Sequence, residues 1–121
     1  MEDYTVELVE SEIRSFQVKI PEQKEHTPQT NVVANFEANL HEPVDPKDTT
    51  VLIITHVSIS DNMPDGLTVE LDLYTVFSIT PIPKDRKAVA FNYCMETIRK
   101  ETIRRVQNIL AAMGQELKFT E

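Results

Sequence analysis

The stretch GLTVELDLYTVFSI, residues 66–79, decides how the chain is read. Its odd positions are Leu67, Val69, Leu71, Leu73, Thr75, Phe77 and Ile79. Its even positions, carried one residue further, are Thr68, Glu70, Asp72, Tyr74, Val76, Ser78 and Thr80. Alternation of period two sends successive side chains to opposite faces, so the stretch is a half-buried β-strand, about twice the usual length of five or six residues. The aliphatic face belongs to a core. The other face opens with acids and ends in Tyr74 and Val76, a mixture suited to touching a protein partner. Just before it, DNMPDG forms a turn in which Asp65-Gly66 supplies a residue that tolerates positive φ.

Working outward toward the N-terminus, VLIITHVSIS is a strand apolar on both faces at Val51 to Ile54 and on one face at Val57 and Ile59. EPVDPKDT before it carries two prolines and reads as a loop. NVVANFEANLH alternates Val32, Ala34, Phe36, Ala38 and Leu40 against Asn31, Asn35, Glu37 and Asn39. PEQKEHTPQT is a second proline-marked loop. In YTVELVESEIRSFQVKI, Tyr4, Val6, Leu8, Phe16, Val18 and Ile20 share one parity that is interrupted by Glu10, Glu12 and Arg14. This is one long strand irregular at its centre, or two short ones.

After TPIP the period changes. Phe91, Met95, Ile98, Thr102, Val106, Ile109 and Met113 recur at helical spacing. Asp85 is the expected N-cap and Gly114 the expected stop, giving a helix of about 26 residues. Leu117 and Phe119 can then tuck back onto the core. Four strands followed by one helix predict a single α+β domain over residues 1–121. The expected architecture is a four-stranded antiparallel meander with the helix on the face of Leu67, Val69, Leu71, Leu73 and Phe77.

Two apolar surfaces exceed what that core needs. On the helix, Phe91, Cys94, Met95, Ile98, Ile103, Val106, Ile109 and Leu110 spread over about half the circumference, wider than one sheet requires. The reading is a homo-oligomer, dimer or tetramer, with Ile103 and Leu110 as contacts between subunits. On the sheet, Val33, Leu52, Ile54, Tyr74 and Val76 take the parity away from the core. If they cluster, they form an exposed apolar patch of the kind that marks interaction sites. Glu70, Asp72, Tyr74 and Val76 are therefore the expected partner-docking residues.

The net charge of −8 disfavours nucleic acid and anionic membrane, which need a basic footprint. Arg99, Lys100, Arg104 and Arg105 do form a local basic cluster, read as a solvated face paired with Glu96 and Glu101. Met1, Glu2 and Asp3 are unlike a signal peptide, and Val51 to Ile54 is too short an apolar run to span a bilayer. With Cys94 the only cysteine, no internal disulfide forms, and the expected location is the cytoplasm. His26, His41 and His56 have no metal-ligand spacing, Cys94 has no histidine nearby, and two glycines cannot build a phosphate-cradling loop. Glu70 and Asp72 share a face but read as solvated rather than catalytic. No enzyme, metal or cofactor is expected.

The order of VKIP, a proline-marked crossover, VVANFEANL, VLIITHVSIS, ELDLYTVFSI and a long helix resembles the SecB-like proteins over nearly the whole chain, most closely at VFSI, residues 76–79. It is most similar to a short Gram-positive branch that lacks the final helix. The resemblance implies an oligomeric chaperone whose unfolded clients lie in a groove between the crossover loop and the helices. It also implies a secretion motor docking on an acidic sheet face. Glu70 falls where SecB carries one docking acid, whereas Ser15 and Lys19 stand where SecB has others. The implied function is an ATP-independent holdase for unfolded or exported polypeptides. The alternatives are a small-molecule carrier or an adaptor for one dedicated partner.

Overall fold

A computed structural model describes residues 3–20 and 30–119. The elements are β1 (Thr5–Lys19), β2 (Thr30–His41), β3 (Thr50–Ser60), β4 (Thr68–Thr80), α1 (Arg86–Ala112) and β5 (Leu117–Phe119). The loop expected at residues 21–30 lies, apart from Thr30, outside the described residues, as does His26.

The α+β class and the single long helix hold, but the sheet is not a four-stranded antiparallel meander. Among the described residues it has five strands, in the order β1-β4-β3-β2-β5. Only β2, β3 and β4 follow one another as antiparallel neighbours. β1 pairs with β4 at the far edge, because the two longest strands match along nearly their whole length. The fifth strand is the tail: Leu117–Phe119 pairs parallel with Thr30–Val32, and Leu117 is buried. Three residues are too few for a period-two pattern to register.

The irregular centre of β1 has a specific cause. Register shifts fall between Leu8 and Glu10 and between Ile13 and Ser15, so Val9 and Arg14 are extra residues. Each bulge flips the parity of the residues after it. Val6 and Leu8 oppose core-facing Ile79 and Phe77; past the first bulge Ser11 and Ile13 oppose Thr75 and Leu73; past the second, Phe16 and Val18 oppose Leu71 and Val69. The same flips send Glu10 and Glu12 to the outer face, opposite Val76 and Tyr74.

The turn before β4 is held by Asp61, whose carboxylate accepts the N–H groups of Met63 (3.0 Å) and Leu67 (3.1 Å). Asp65 itself takes the positive φ of 53°. Gly66 serves a different purpose: a Cβ there would collide with the Asp61 carboxylate.

The core face of β4 is buried as read, from Leu67 through Ile79, and α1 lies over it. Asp85 caps the helix by accepting the Ala88 N–H at 3.1 Å. At the other end Gly114, at φ 84°, allows Gly114 N–H to reach Ala111 O and Gln115 N–H to reach Leu110 O, which closes the last turn. Arg86 pins the helix start to the β2–β3 loop and the first residue of β3 by donating to Pro46 O (2.9 Å) and Thr50 O (3.2 Å).

The buried residues of α1 are Arg86, Ala90, Cys94, Ile98, Thr102, Val106 and Leu110, each four from the last. That row runs at about 26° to a helix axis. Over six steps it winds through roughly 240° of circumference at 100° per residue. The broad apolar arc that suggested a second packing partner is therefore largely the track of one oblique contact within the chain. Leu110, expected at a subunit contact, is fully buried in this core and has no surface to give. Ile103 is half-buried. The helix covers the inner face of β3 and β4 completely but not the flanks, where Leu8 stays 43% exposed and Phe36 and Leu40 are half-covered.

Candidate interaction surfaces

The outer face of the sheet brings together the residues expected there. Antiparallel register sets Tyr74 opposite Ile54 and Val76 opposite Leu52, and all four are half-buried. Val33 does not join them: it pairs with Ser60 at the other end of β3. The apolar strip is flanked by acids. Glu10 and Glu12 lie on the β1 side, Glu70 and Asp72 on β4, and Glu37 opposite His56 across the β2–β3 pair. Arg14, displaced by its bulge, stacks its guanidinium 4.8 Å from the centre of the Tyr74 ring and pairs with Glu12 at 2.9 Å. Such a cation–π contact is worth about 0.5–1 kcal/mol at an exposed site.

His56, which reads as unremarkable in the sequence, sits at the centre of the acids. Its Nδ1 is 2.8 Å from Asp72 Oδ1 and its Nε2 is 3.9 Å from Glu70 Oε1. The hydrogen bond to Asp72 raises its pKa above the ordinary histidine value, aided by the fields of Asp72, Glu70 and Glu37 and opposed by partial desolvation. Period two alone places His56 on the outer parity. Only the register with β4 shows that it faces both acids.

A second surface lies between α1 and β5. An open groove of about 610 Å³ is walled by Glu96, Arg99, Lys100, Ile103 and Gln107 on the helix and by residues 116–119 on the tail. Its apolar side chains are Ile103, buried Leu117 and half-buried Phe119. Lys100 pairs with Glu96 at 3.0 Å, and Arg104 and Arg105 both reach Glu101, so the basic cluster is mostly paired as read. The sequence marked Leu117 and Phe119 as returning to the core and Ile103 as an apolar helix position, but not that the tail pairs with β2 and leaves a groove beside the helix.

The remaining candidates are structural. Cys94 is fully buried, and burial pushes its thiol pKa up to about 11, far from nucleophilic at neutral pH. Among the described residues no group of His, Cys, Asp and Glu could hold a metal ion, and no helix is long and apolar enough to cross a membrane.

A sheet with β1 beside β4, a bulged first strand, and one long helix across the β3–β4 face defines a SecB-like fold, and the comparison with solved structures agrees. Among those structures, the chain is similar to a SecB-like chaperone of Mycobacterium tuberculosis in complex with a ChAD peptide from an antitoxin. The TM-score is 0.65 at 10% sequence identity, over 96% of this chain and 86% of that one. No family model and no curated protein matches the sequence.

Proposed function

We propose that this chain is a non-enzymatic, chaperone-type binding protein that holds unfolded or extended polypeptide without ATP. The observation that carries the reading is the open groove with Ile103, Leu117 and Phe119 along it, on a fold shared with a chaperone solved with a bound peptide. Such a groove offers apolar contact to an extended segment while leaving both its ends free to continue. The small-molecule reading calls for a sizeable enclosed cavity, and an open groove does not favour it. The chain self-associates as a dimer or tetramer. Support comes from the exposed Leu8, Val9, Phe91 and Tyr93, which one chain leaves uncovered; Ile103, expected between subunits, lines the client groove instead.

A second role is favoured by the outer face. Glu70 and Asp72 steer a protein partner, a secretion component among the candidates, while Tyr74 and Val76 supply the desolvated contact. This face also suits an adaptor with one dedicated partner.

The test is aggregation of a chemically unfolded client diluted into buffer without nucleotide. The expected result is delayed light scattering in proportion to added protein, weakened by Ile103→Asp. Unchanged aggregation at molar excess would reject the holding role.

A further inference from the structure

Docking on the outer face meets an obstacle built into that face. The acids best placed to receive a partner's cation already have one beside them. Asp72 and Glu70 occupy neighbouring outward positions on β4, and His56 on β3 lies between them, within 2.8 Å of one and 3.9 Å of the other. Glu37 approaches from β2. The β1 residues opposite Glu70 and Asp72 are Gln17 and Ser15, which bring no charge, and Arg14 is taken by Glu12 and the Tyr74 ring. Lys19, further along the same face of β1, pairs with Asp65 at 3.7 Å. Thus, among the described residues, His56 is the basic side chain that comes within 3.9 Å of both Asp72 and Glu70.

We propose that His56 is an internal counter-ion, seated between Asp72 and Glu70, which a lysine or arginine of the docking partner displaces, so that docking releases a proton. The inference rests on the docking role of this face. The partner's chemistry is set by charge complementarity: carboxylates on three strands surround an apolar strip of Leu52, Ile54, Tyr74 and Val76. A cationic side chain entering this box meets the imidazolium at the same oxygens, and like charges at that distance repel. Loss of the imidazole proton removes the repulsion and leaves Asp72 and Glu70 unneutralised. Because one proton is exchanged, linkage caps the gain at tenfold in affinity per pH unit.

The experiment uses the full chain and a synthetic peptide of alternating lysine and leucine, titrated calorimetrically at about pH 6 and about pH 8, a window over which histidine progressively gives up its proton while the peptide's lysines stay charged. The expected result is binding roughly tenfold tighter at the higher pH, with proton release seen as a dependence of the heat on buffer ionisation enthalpy. His56→Gln, at an exposed site, should bind with nearly the same affinity at both values and release no proton. A wild-type affinity that does not change with pH, or that falls as pH rises, overturns the counter-ion role while leaving the docking face intact. A pH dependence that survives in His56→Gln overturns it equally. No binding at either pH, in the wild type and the variant alike, overturns the docking reading itself.

Discussion

Ile98 offers the most direct perturbation of the core. It is 1% exposed and lies midway along the buried row of α1, four residues from buried Cys94 and from buried Thr102. Both neighbours are fixed by the helix backbone and the Thr102 hydroxyl donates to Ile98 O at 2.7 Å, so the site cannot collapse around a smaller side chain. Ile98→Ala should therefore cost about 3–4 kcal/mol, in the middle of the range for a buried isoleucine. Against a total stability of about 5–15 kcal/mol, that lowers the melting temperature by roughly 10–20 °C. Ile98→Asp loses the same apolar contact and adds a carboxylate with no partner, several kcal/mol more, which should leave the chain unfolded. Asn92→Asp, exposed on the same helix, serves as the control and should stay within about 0.5 kcal/mol of wild type. The chain has no tryptophan, so urea denaturation followed by circular dichroism is the suitable assay. A soluble Ile98→Asp protein with wild-type spectrum and melting temperature would refute the placement of α1 on the sheet.

Three further outcomes are expected. His56 should titrate above the ordinary histidine value in an NMR pH series, and Asp72→Asn should move it back, since that hydrogen bond is the main cause of the shift. Because its folded pKa is raised, its contribution to stability is full below the unfolded value of about 6.5 and is lost as pH rises through the folded value. Cys94, fully buried with its thiol pushed up to about 11, should react with an aromatic disulfide reagent only as fast as the chain opens; immediate reaction of the native protein would place it elsewhere. Tyr74→Ala with Glu70→Lys should leave the denaturation curve within about 1 kcal/mol of wild type, as both side chains point away from the core, yet abolish capture of outer-face partners. Capture of the same partners by the double variant would reduce that face to a wetted surface.

The parity of residues 67–79 was legible because one face of β4 is fully covered and nothing interrupts its period. The helix, its Asp85 cap and its Gly114 stop were legible for the same reason: local chemistry and local period agree. Of β1, a long strand irregular at its centre was legible as one of two readings, but the two bulges that reverse its parity within a few residues were not, since no single period can describe them. Nor was its place beside β4, since strand order depends on non-local pairing and sequence neighbours are only the commoner choice. Leu110 was misread because an apolar arc does not reveal whether it winds around one partner or divides between two. Of the candidate site, the Tyr74–Ile54 and Val76–Leu52 pairs followed from register. His56 escaped notice because its two acids come from another strand.

The claim that matters most is that polypeptide lies in the groove between α1 and β5. A photo-crosslinking amino acid placed at Ile103, in the groove, and at Ser58, on the outer face, puts the two surfaces in direct competition for an unfolded client. The account predicts crosslinked client from position 103, without nucleotide, and little or none from position 58. Crosslinks from position 58 alone, or of equal yield from both, would contradict it.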